Sequence, residues 1–138
     1  MDVLDREALL SFLNEMLEAE RAGARVALQT SREQISPDLQ ELTIAIHHDE
    51  ARWCALLIKA IRQLDGVASE KTGAFYEKAM AIADIGQRLA FLNKGQAWVV
   101  RKLREVLPKI GDEKLCAELN VMLTAHQDNI DKVASLGL

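Results

Sequence analysis

Four residues of types that hold cations or share protons each fall in the middle of an otherwise apolar helical face. Glu20 follows Leu13, Met16 and Leu17, and Glu50 lies between Ile46 and Trp53. Gln96 lies between Leu92 and Val99, and His126 between Met122 and Ile130. At about 100° per residue these positions sit at the centre of their stripes. A carboxylate there is no solvated surface charge. It has to be paired, protonated or bound to a cation, because burying it bare costs several kcal/mol. Two carboxylates and an imidazole suit one divalent ion such as Zn²⁺, Fe²⁺ or Mn²⁺, with water in any open position. Without a cation, a protonated His126 between Glu20 and Glu50 would nearly neutralise the cluster, and Gln96 would add donors. His47, about 60° round the helix from Glu50, is either a fourth metal ligand or a satisfied histidine at the core edge. His48 points away from Glu50 and is expected at the surface.

The helices that must position these groups can be read from their ends. Asp2 or Asp5 can cap a first helix reaching about Glu33, with Leu9, Leu13, Met16, Leu17, Ala24 and Ala27 inward. Ser36-Pro37-Asp38 starts a second helix with an N-cap, a proline in the first turn and an acid near the positive end of the dipole. The short break between them makes an antiparallel hairpin. Asp65-Gly66 stops the second helix, with Gly66 as the left-handed C′ residue. Residues 67–83 are expected to be a crossover with a short helix around Phe75–Ile82. Asp84-Ile85-Gly86-Gln87 reads as a capping-box variant that opens the third main helix, and Pro108 and Gly111 end that helix. Asp112-Glu113 opens the fourth, which closes at Gly137. If the third helix runs parallel to the second, all four polar residues lie at one level, roughly 16–21 Å from the same end at 1.5 Å per residue. A third helix starting at Thr72 and running antiparallel would place Gln96 well out of level.

Composition narrows the class. The chain has 138 residues with only two prolines and seven glycines, which favours a single all-α domain over residues 1–138. A net charge of −4 argues against nucleic acid as a partner. No apolar run approaches a membrane span, and Met1 to Glu7 lacks the design of a signal peptide, so the expected compartment is the cytoplasm. Two cysteines, Cys54 and Cys116, are too few for a disulfide framework and form no CxxC pair. There is no phosphate loop and no GxSxG element.

With these elements in hand, the pattern resembles the ferritin-like superfamily, closest to bacterioferritin-type chains. Leu13-Asn14-x-x-Leu17-x-x-Glu20 resembles the first-helix motif that supplies an iron-ligating Glu. Glu50-x-x-Trp53, followed by Ile61-x-x-Leu64-x-Gly66, resembles the second-helix Glu-x-x-His and its trailing Leu-x-Gly. Gln96 falls where the third-helix Glu would be, and Leu123-x-x-His126 where the second Glu-x-x-His would be. The resemblance implies a ferritin-like four-helix bundle with a crossover between helices two and three.

The departures from that family decide what chemistry survives. A di-iron centre of this type uses about four carboxylates and two imidazoles. Here Trp53 replaces a His, while Gln96 and Leu123 each replace a Glu. Two carboxylates cannot balance two ferrous ions, so an active di-iron oxidase is not expected. Three readings remain, in this order: a degenerate hydrogen-bonded cluster in a structural or interaction module, a mononuclear metal-binding protein using Glu20, Glu50 and His126, and last an enzyme, as a di-iron oxidase or with an unrecognised chemistry. Phe91 and Trp98, seven apart and turned from Gln96, form a second apolar stripe, from which a homodimer is expected unless Phe75 and Tyr76 cover it.

Overall fold

The computed structural model describes residues 3–137, which form five α-helices and one 3₁₀ turn. These are α1 (Arg6–Ser31), α2 (Pro37–Gln63), α3 (Phe75–Met80), α4 (Ile85–Val106) and α5 (Glu113–Ala134), with the turn at Leu107–Lys109. No strand occurs among the described residues. Nor is any helix long and apolar enough to cross a membrane.

Each long helix starts where a short polar side chain takes up a free amide. Asp5 accepts from the Ala8 N–H, Ser36 from Leu39, Asp84 from Gln87, and Asp112 from both Lys114 and Leu115. Asp2, the other candidate cap, lies outside the described residues. The end of α2 departs from expectation: Asp65, not Gly66, adopts the left-handed conformation, with φ 56°. Its N–H reaches the Arg62 carbonyl at 3.0 Å and that of Gly66 reaches Ile61 at 2.9 Å, closing a Schellman turn. An aspartate tolerates this region better than most side chains. Gly66 is needed for space instead, since a Cβ there would lie 2.4 Å from Leu10 Cδ2. The last helix stops at Ala134, short of Gly137.

The connection after α2 is tied to α1 along its length. Arg6 donates to the Leu64 carbonyl at 2.8 Å, Asn14 to Val67 at 3.1 Å, and Arg21 to Lys71 at 2.8 Å. Asn14 also accepts from the Ser69 N–H at 2.7 Å. The fifteen residues from Arg6 to Arg21 rise about 22 Å, and a nearly extended chain from Leu64 to Lys71 covers about the same distance. The segment therefore runs alongside α1 in the same direction and delivers α3 to the far end, where it packs on α1 and α4.

Two apolar clusters fill the interior. One contains Leu13, Leu17, Trp53, Leu57, Leu103 and Met122. The other contains Val26, Ile46, Leu89, Leu92 and Val133. Along every long helix a buried polar residue separates the two: Glu20, Glu50, Gln96 and His126.

Candidate metal centre

The polar layer draws one side chain from each long helix, and all four are sealed from solvent. Glu20 and His126 are 1% exposed, and Glu50 and Gln96 2%. Glu20, Glu50 and His126 each bring one donor atom into a group whose members all lie within 4.8 Å of one another. His126 Nε2 approaches Glu20 Oε1 at 2.6 Å. Yet neither atom has an aligned hydrogen bond among the described residues.

The other imidazole nitrogen is fixed. His126 Nδ1 lies 2.9 Å from the Met122 carbonyl, which can only accept, so Nδ1 carries the proton. Nε2 is then either a free lone pair turned to the cluster or a second N–H facing Glu20. A ligand histidine held through its other nitrogen by a backbone carbonyl is the usual arrangement around a metal.

Space for Glu50 comes from a residue that the motif reading passes over. A Cβ on Gly23 would lie 2.5 Å from Glu50 Oε2 and 2.6 Å from Oε1, inside any allowed contact. Glycine inside a helix costs about 1 kcal/mol relative to alanine, and here the missing methyl is what lets the carboxylate lie against the α1 backbone. Its position in the middle of α1, one turn from Glu20, was the available signal.

Electrostatics follow from burial. Burial raises the Glu50 carboxyl well above its ordinary value, and the negative charges of Glu20 and Asp49 push it the same way. For His126, burial alone would lower the imidazole. The charge and hydrogen-bonding contact of Glu20, helped by the Met122 carbonyl and Asp49, outweigh it and leave the pKa raised. Without a cation, the cluster thus favours a neutral Glu50 and a protonated His126.

Other expected residues are placed differently. His47 is half-buried and its Nδ1 lies 3.0 Å from the Ala24 carbonyl. It is outside the three-residue group. His48 is exposed, as the helix phase requires. Cys54 and Cys116 are free thiols. Burial, then the charges of Glu20 and Glu50, drive Cys54 up to about 12. Phe91 and Trp98 are half-buried rather than bare: Phe75 stacks on Phe91 at 4.9 Å, and both line a cavity that Gln96 also lines. The stripe is therefore partly covered within the chain, with Phe75 from α3 lying over Phe91.

Sequence reasoning also missed Arg88, 3% exposed at the start of α4. It donates to the Ile82 carbonyl at 3.0 Å and Thr30 Oγ1 at 3.2 Å, and forms an ion pair with Glu33. This staple ties the end of α1 to the start of α4. Its partners are too far along the chain for periodicity to reveal.

A family model described as a domain of unknown function, DUF6306, matches residues 7–135. No curated protein and no solved structure matches the chain.

Proposed function

We propose that the chain, which belongs to the DUF6306 family, holds one divalent metal ion between Glu20, Glu50 and His126, in a ferritin-like four-helix bundle. The observation that carries this is the convergence of three ligand atoms from three helices within 4.8 Å, in a layer only 1–2% exposed. The order of the apolar clusters supports the bundle. Going from N- to C-terminus, α1 and α5 pass from the Leu13 cluster to the Val26 cluster, while α2 and α4 pass the other way. Helices two and four of the chain then run parallel, which requires the intervening segment to cross over along α1.

The donor set fits one cation and not two. Two carboxylates offset a charge of +2, and the neutral imidazole completes a three-ligand site of the kind that Zn²⁺, Fe²⁺ or Mn²⁺ accept. Trp53, Gln96 and Leu123 stand where a second ion would need ligands, so a di-iron centre does not fit. When bound, the ion would supply Lewis acidity at its open positions. Glu20 and Glu50 neutralise it, Met122 orients His126 through its backbone carbonyl, and the apolar clusters exclude bulk water. Free thiols at Cys54 and Cys116 agree with a cytoplasmic setting.

A second reading, of a cation-free cluster in a structural module, is favoured by the close Glu20–His126 pair. Gln96 weighs against it: that reading needs its amide to donate to the carboxylates, yet neither amide atom has a partner among the described residues. The test is the metal content of tag-free protein by mass spectrometry, paired with Glu50→Gln. One ion per chain, lost in the variant together with several degrees of melting temperature, is expected. Substoichiometric metal in the wild type, with equal or higher stability in Glu50→Gln, would overturn the metal reading.

A further inference from the structure

A cavity of about 490 Å³ opens between α1, α4 and residues 72–75 and reaches the polar layer. Its floor includes Glu20, Gly23, Glu50 and Gln96, and its apolar walls include Phe75, Phe91, Leu92, Trp98 and Val99. Exposed Glu15, Lys94 and Arg101 stand at the rim. The buried amide of Gln96 is the unusual group. Both Nε2 and Oε1 are sealed and have no hydrogen-bond partner among the described residues. A glutamine in a core is stable when both ends are used. Gln96 also lines the cavity.

A Cβ on Gly95 would lie 2.8 Å from Phe75 Cζ, so the tip of the Phe75 ring comes up against the α4 backbone. Its ring stacks on Phe91 with an interplanar angle of 12°. The two stacked rings form one aromatic wall of the cavity, which Trp98 also lines. Apolar walls with a few convergent polar groups are the usual make-up of a small-molecule pocket.

We propose that this cavity binds an uncharged, largely apolar small molecule whose head group both donates and accepts a hydrogen bond, with a primary carboxamide as the type. The head would meet Gln96 beside Glu20 and Glu50, and the tail would lie against Phe75, Phe91 and Trp98. Charge selects against ions. Two carboxylates and a divalent cation sum to zero at the floor, and a net charge placed there would lose its hydration without a counter-charge. Around the cavity, two acids, Glu15 and Glu18, are matched by two bases, Lys94 and Arg101, so no sign is favoured on the way in. The zero charge sum rests on the metal reading; the contact with Gln96 does not.

The test is isothermal titration calorimetry on the full chain, with metal content measured on the same sample. The probes are naphthalene-2-carboxamide, 2-naphthoate and 2-naphthylmethylamine. The carboxamide should bind at least tenfold more tightly than the anion or the amine. Gln96→Leu, which keeps the volume and removes an unpaired polar group, should stay folded and weaken the carboxamide about tenfold. Arg101→Ala at the rim should leave it unchanged. Equal binding of an ionic probe, wild-type affinity in Gln96→Leu, or no binding of any probe up to its solubility would each overturn the inference. One metal ion per chain with no bound carboxamide sinks this proposal alone. Gln96-dependent binding in protein without metal sinks the metal reading alone.

Discussion

Gly23→Ala separates metal binding from folding more cleanly than any ligand substitution. The added methyl would meet the Glu50 carboxylate at 2.5–2.6 Å. Ordinary contact begins near 3.4 Å, so the carboxylate has to retreat by about 0.8–0.9 Å, the difference between those distances. What is struck is the end of a flexible side chain, not backbone, so Glu50 can yield by changing rotamer. Overpacking of this kind costs about 1–3 kcal/mol, and the alanine returns about 1 kcal/mol of helix propensity. In chelator, the variant should therefore unfold within about 2 kcal/mol of the wild type. Metal ligands tolerate only about 0.2 Å of displacement, several times less than the forced shift. Metal affinity should fall by at least tenfold, read by competition with a chromophoric chelator. Wild-type metal affinity in a folded Gly23→Ala protein would refute the placement of Glu50 at the centre. Failure to fold would show that the carboxylate cannot move, and Gly23→Ser, with its similar Cβ, would then fail as well.

Further outcomes follow from the buried charges and the aromatic face. Because the folded pKa values of Glu50 and His126 are raised, the native chain holds more protons than the unfolded chain. Metal-free protein should then lose stability as pH rises from the ordinary carboxyl value through the raised ones, by up to about 1.4 kcal/mol per pH unit for each proton. Excess metal should reverse the trend, since binding expels those protons; a flat metal-free melting profile from pH 5 to 8 would contradict it. With Cys54 near 12, about one thiol in ten thousand is ionised at pH 8. Alkylation of Cys54 by iodoacetamide should thus be far slower in native than in unfolded protein, as peptide mass mapping would show. The homodimer expected from the aromatic stripe now rests on Trp98, because Phe75 already covers Phe91. If the pair forms, Trp98→Glu gives a folded monomer by light scattering; a wild type that is monomeric at high micromolar concentration rules it out.

Much of the helical frame was legible because its signals are local. Ser36-Pro37, Asp84 and Asp112 bond amides two or three residues away, so sequence alone could place those starts. The polar layer was legible for a different reason. A helix phase fixed to about 100° per residue puts Glu20, Glu50, Gln96 and His126 on inward faces whatever the topology. Whether Phe91 is bare or covered stayed open in the sequence, because its cover, Phe75, comes from a connection whose path no periodicity encodes. Arg88 shows the same gap, since its phase beside Leu89 marks it as inward while its partner Glu33 can be found only in three dimensions.

Gly23 and Gly95 link the two halves of the site, and both look like defects by local rules. A helix gains stability when such glycines become alanine, unless something occupies the space of the missing methyl. In α1 that space is taken by the Glu50 carboxylate, and in α4 by the Phe75 ring. One notch brings an acid into the ligand group, and the other sets the wall of the cavity above it. Local consistency is broken at these two points and at the unpaired Gln96, whose amide a leucine would replace at lower cost. Three departures from packing economy around one cavity are hard to assign to folding, because an all-apolar layer would fold as well or better. They coincide instead where the candidate metal group, the cavity and the Gln96 amide meet, which is where strain and unused polarity are expected to serve binding.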